Sequence, residues 1–144
     1  MTTTKDDRVF QELQRKIRDV GKARVSVGVF GGGDIAEVAA IHEYGAPAAG
    51  IPERSFLRRA FAEQSGAEAL QKFLVRTAKT LIAEKLEVPT ALERLGQFAV
   101  AQVKNRIKAV IPPTLKPETI KRKGSSTPLV DTGQLLNSVT HEVK

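Results

Sequence analysis

Hydrophobic positions recur at helical spacing from the start of the chain. Val9, Phe10, Leu13, Ile17 and Val20 follow at steps of one, three, four and three, which is one face of an amphipathic helix over residues 6–20. Gly21 is expected to end it. Residues 23–30 then alternate, with Val25, Val27 and Val29 on one side of a strand and Arg24, Ser26, Gly28 and Phe30 on the other. Gly28 suggests the close approach of another backbone. A Gly31–Gly33 turn leads to Asp34 as an expected N-cap. A short helix follows, with Ile35, Val38, Ala39 and Ile41/His42 inward, stopped at Gly45.

Residues 46–52 read as a loop, because Pro52 pushes Ile51 out of the helical region. Residues 53–64 read as helix, with Phe56, Leu57, Ala60 and Phe61 on one face and Arg54, Arg58 and Arg59 off it. Ser65 to Glu68 has capping-box spacing and marks a new helix or a kink. Leu70, Phe73, Leu74, Ala78, Leu81 and Ile82 carry the period on to about Leu86. Thr90 to Glu93 is a second capping box. The helix it opens carries Leu92, Leu95, Ala99, Val103, Ile107 and Val110 and ends at Pro112-Pro113. Two long helices joined by a short connection predict an antiparallel hairpin.

Between residues 112 and 128 the pattern dissolves into a long loop, with one helical turn expected at 117–123. Asp131 or Thr132 can cap a short helix, and Val139, His141 and Val143 form a last strand, the natural partner of Val25–Val29. These elements give one α+β domain over residues 1–144: an N-terminal helix within 1–22, and a small antiparallel sheet packed against a long helical hairpin with an extended basic loop.

Composition narrows the function classes. With 5% aromatics and no Trp, the core must be aliphatic. The lack of Cys excludes disulfides, a thiolate nucleophile and thiolate metal sites, and two His residues far apart in sequence offer little to zinc. The polar start has no signal-peptide apolar region, and no run approaches the roughly 20 apolar residues that span a bilayer. A soluble chain made in a cytoplasm is expected, without a membrane partner. Of the net charge of +7, residues 101–127 hold +6. Such a patch suits a solvated loop, nucleic acid or an acidic protein surface.

Candidate chemistry is sparse. The glycine turn lacks the Gly-Lys-Ser/Thr ending and the second βαβ unit that nucleotide motifs need. His42 and Glu43 are adjacent, so on a helix they point about 100° apart. No His follows at HExxH spacing, and His42 reads as a half-buried helix residue. Asp34, Asp131 and His141 complete the acid–base inventory, and Ser138 and Thr132 have no base nearby in sequence. A hydrolytic site assembled in space would have to arise without a motif. The basic window has no aromatic to interleave for single-strand stacking, although Lys121, Arg122 and Lys123 could touch a phosphate backbone. The expectation is a non-enzyme with no cofactor, metal or small-molecule substrate.

Three stretches together resemble the tail-completion (neck) family of tailed bacteriophages and prophages, the tail-component or virion-morphogenesis type. The first is Val25-Ser26-Val27-Gly28-Val29-Phe30 with Val38-Ala39-Ala40-Ile41-His42-Glu43-Tyr44-Gly45. The second is Ile51-Pro52-Glu53-Arg54-Ser55-Phe56-Leu57-Arg58, close to an I-P-x-R-P-F-h-R pattern, with Ser55 where proline is usual. The third is Thr119 to Ser126 with Pro128 to Val139. They occur in the family's order over residues 24–143. Ser55 in place of proline is expected to free the backbone before the next helix.

The resemblance implies a structural virion subunit at the head–tail junction. It would form or join a ring, commonly six-fold, connecting tail to head. It would be assembled in the bacterial host cytoplasm against neighbouring neck, connector or tail-tube proteins. A tail-terminator ring is one alternative. A nucleic-acid-binding accessory protein using the basic 104–123 patch is another. Tyr44, Pro47, Arg54, Phe56 and Arg58 are the expected contacts of one interface, Phe56 fitting a core position equally well. Leu129 and Thr132 are expected in a second interface. Lys116, Lys121, Arg122 and Lys123 are the expected contacts to DNA in the channel or to an acidic partner.

Overall fold

A computed structural model describes residues 4–83, 85–124 and 133–144, with the side chain of Lys123 outside the description. The elements run α1 (Lys5–Lys22), β1 (Val25–Gly28), α2 (Asp34–Tyr44), α3 (Arg59–Ala62), α4 (Gln64–Ile82), α5 (Val88–Lys108), α6 (Pro117–Lys123), α7 (Gln134–Ser138) and β2 (Thr140–Val143). This is the expected α+β arrangement.

The chain is built around α5. Val103 and Ile107 are fully buried on it, and with Ala39, Phe56, Ala60, Ile111, Leu135 and Val139 they make a core that is aliphatic apart from Phe56. Burying a side chain of this kind is worth about 1.5–3 kcal/mol. β1 and β2 pair antiparallel, Val25 with Val143 and Val27 with His141, as the alternation predicts. The sheet lies against α5 at Gly96. A Cβ built there would sit 2.1 Å from Cδ2 of His141, so only glycine lets the imidazole lie on the helix. His141 Nε2 then meets Glu93 Oε1, one turn back, at 2.9 Å.

The hairpin is present. Phe73, nine residues before the end of α4, stacks on Phe98, ten after the start of α5, with centroids 4.4 Å apart. Helices in contact at equal distances from their connection run antiparallel. The helical turn expected at 117–123 is α6.

Several expectations are corrected. Residues 53–58 are not helical, and α3 is a single turn. The free backbone N–H groups of that segment are claimed from elsewhere in the fold. Ser65 and Thr90 lie inside their helices, which start from Glu63 and Glu87 without side-chain caps. Helix α4 stops at Ile82 rather than Leu86. Gly33, not Asp34, is the N-cap of α2, and Val38 is exposed. Gly21 does not stop α1, which runs on to Lys22. Gly28 meets a side chain, Leu57, rather than a backbone. Val110 is exposed because α5 ends at Lys108. The expected caps Asp131 and Thr132 lie outside the described residues, and α7 starts from Gly133.

Helix α1 is oriented against its own pattern. Such an apolar stripe ordinarily turns to the core. Instead Val9, Phe10, Ile17 and Val20 are 44%, 61%, 64% and 42% exposed, and Lys16 is buried at 3%. Lys16 Nζ donates to the carbonyls of Leu81 (3.2 Å) and Leu86 (3.3 Å), where α4 ends and the connection to α5 begins. A cation is favoured at a helix C-terminus, whose last carbonyls lack partners. That contact fixes the roll of α1. At 100° per residue the docked edge, centred near Lys16, lies roughly 70° from the centre of the apolar stripe.

Candidate functional site

The quoted motif folds around one carboxylate. Glu43 lies in the last turn of α2 and is 4% exposed. Its Oε1 accepts from Ser55 Oγ (2.7 Å), Arg58 N (3.0 Å) and Arg58 Nε (2.8 Å). Its Oε2 accepts from Phe56 N (3.0 Å) and Leu57 N (2.9 Å). The three backbone donors are orphans at the approach to α3, whose N-cap, Arg58, is itself helical and has no side-chain cap. Glu43 therefore caps α3 from another helix.

The electrostatics follow. Burial pushes the Glu43 carboxyl up. The N–H of Leu57, the Arg58 side chain, the Ser55 hydroxyl and the N–H of Arg58 outweigh it and hold the group below its ordinary 4.5. The Glu43 bond in turn raises the pKa of Arg58.

Gly45 closes the knot. It has φ +75°, and a Cβ there would lie 2.8 Å from Glu53 N. The loop returns through Ala46 and Ile51, which pair by a bridge, and Arg54 N donates to His42 O (2.8 Å). Beyond it, Arg54 Nη2 donates to Pro113 O (2.9 Å), and Arg106 Nε donates to Ser55 O (3.2 Å). The segment is thus tied to both α2 and the end of α5.

The expected contact residues separate into two groups. Tyr44 is 64% exposed, with the Arg58 guanidinium 4.6 Å above its ring, and Pro47, three residues on, is exposed too. All three are open to a neighbour. Arg54 (7%) and Phe56 (2%) are buried in the chain, Phe56 at the core position it was expected to fit equally well. Helical periodicity turns Phe56 inward but leaves Arg54 off the apolar face, because the segment is not helical and is pinned by Glu43. Leu129 and Thr132 lie outside the described residues. Lys116, Lys121 and Arg122 are exposed around α6, and Lys123 lies on it. Arg106 leaves the expected 104–123 patch, since it pairs with Glu63 at 2.5 Å and bonds Ser55 O.

Ser55 and Glu43 form a hydroxyl–carboxylate pair, yet both are sealed from solvent, which suits a structural bond. The hydroxyl tightens the segment rather than freeing it. His42 is half-buried, as expected. Among the described residues no group of three His, Asp or Glu side chains could hold a metal ion, and no helix is long and apolar enough to cross a membrane. No family model, curated protein or solved structure matches the chain.

The sequence pattern marks Glu43 only as a candidate acid and gives no sign of Lys16 or Gly96. A signal for Glu43 exists in the run Glu43-Tyr44-Gly45: a carboxylate beside a helix stop, followed by a proline-bounded loop with unpaired N–H groups.

Proposed function

We propose that this chain is a structural subunit of a bacteriophage particle at the head–tail junction, a neck or tail-completion protein that forms or joins a ring. The three motif stretches support the family. The observation that carries assembly is α1, which offers Val9, Phe10, Ile17 and Val20 to solvent while docking through Lys16. Ile82, beside the Leu81 that holds Lys16, is also 63% exposed.

A subunit in a ring uses two different faces, one toward each neighbour. In this reading the α1 stripe meets the next copy, and Tyr44, Pro47 and Arg58 belong to the other face. No residue needs to perform chemistry.

Sedimentation velocity of the full chain tests this. The expected result is a closed multiple of 15.6 kDa that Phe10→Glu/Ile17→Glu reduces to monomer with unchanged circular dichroism. A monomer at the highest attainable concentration, unaltered by the double substitution, would remove self-assembly from the reading.

A further inference from the structure

A second basic surface lies away from the 104–123 segment. Lys72, Arg76 and Lys79 stand on α4 at steps of four and three, which puts them on one stripe of the helix. Arg94 approaches from α5 and lines, with Lys72, Arg76, Thr77 and Thr80, a groove of about 470 Å³. From Gln71 to Ile82 the helix has no acidic residue. All four cations are exposed, and among the described residues none has a carboxylate partner. The helix dipole accounts for Lys79, in the last turn. It does not account for Lys72 in mid-helix or for Arg94 near the opposite end of a second helix.

We propose that this stripe binds the sugar–phosphate backbone of duplex DNA without regard to sequence. Lys72 to Lys79 spans about 10 Å at 1.5 Å per residue. That length is enough to reach neighbouring phosphates of one DNA strand. Phosphate contacts need only charge and reach, with hydroxyls such as those of Thr77 and Thr80 as added donors. Phe73 and Phe98, stacked on each other, and Leu86 also line the groove. An acidic protein partner fits less well, because Lys79 carries the run of charge along the helix beyond those apolar residues, as a phosphate backbone needs and a central apolar anchor does not. The proposal holds whether or not the chain assembles.

The test is fluorescence anisotropy of a labelled 20-bp duplex of arbitrary sequence with the full chain, over a range of salt. Lys72→Gln/Arg76→Gln/Lys79→Gln/Arg94→Gln should lower the magnitude of the log K against log salt slope by about 3 to 4. If that variant unfolds, Lys72→Gln/Arg76→Gln should lower it by about 2. Lys116→Gln/Lys121→Gln/Arg122→Gln, on the other basic segment, should leave most of the slope in place. A wild-type slope in the stripe variants overturns the proposal. So does the absence of binding at low salt. Displacement of the duplex by polyglutamate at equal charge concentration would give the surface to an acidic protein instead.

Discussion

Ser55 Oγ donates to Glu43 Oε1 at 2.7 Å, across twelve residues of sequence, with both side chains buried. The hydroxyl stands where the I-P-x-R-P-F-h-R pattern that this stretch resembles carries proline. A proline ring would stiffen the backbone locally. The serine instead ties it to α2, and its Oγ also accepts from Arg59 N (3.4 Å). Ser55→Ala should therefore cost about 1 kcal/mol, read as a lower denaturation midpoint at unchanged m-value. An equal or higher midpoint would mean that the three backbone donors already saturate Glu43.

Glu43 makes stability depend on pH in a stated direction. Its folded pKa is depressed below 4.5, so its contribution is fully present above about 4.5 and is lost as pH falls through the folded value. Glu43→Gln should destabilise the chain by about 3 kcal/mol at neutral pH and flatten the acid limb of the stability curve. Asp7 and Glu12 are lowered too, through bonds to Thr4 and Arg15 on exposed α1. Salt screens exposed pairs far more than a buried one. Urea melts from pH 3 to 7 at two salt concentrations separate them: an acid limb that persists in high salt and vanishes in the variant belongs to Glu43.

Gly96→Ala should destabilise by about 1–3 kcal/mol, the usual cost of forcing atoms into a packed contact, because the new methyl meets the His141 ring. Adding His141→Ala should recover part of the loss. A double-mutant cycle with no coupling between the two would mean that the sheet shifts as a body instead.

Lys16→Met keeps the length of the side chain but leaves the carbonyls of Leu81 and Leu86 without their shared donor. A loss of about 1.5–3 kcal/mol is expected for hydrogen bonds to a charged group. The specific readout is limited proteolysis: cleavage in the α1–β1 connection should quicken more than cleavage elsewhere. Uniform protection would show that Leu13 and its neighbours hold α1 without the lysine.

Periodicity and turn residues were enough to find α1, β1, α2, the α4–α5 pair, α6 and the pairing of the two strands. Each of these is a local pattern, and hydrophobic spacing records which residues share a face. It does not record what meets that face. Only the tertiary structure showed that α1 rolls toward Lys16, since its ammonium group is held by the carbonyls of Leu81, near the end of α4, and Leu86, in the connection to α5. The same limit hid the state of residues 53–58. Their side chains have helical spacing, but a carboxylate ten or more residues upstream claims their N–H groups. The basic segments divide for a related reason. Charge can be counted in sequence, but Arg106 is consumed by Glu63 and Ser55, while Lys72, Arg76, Lys79 and Arg94 become one surface only when two helices fold side by side.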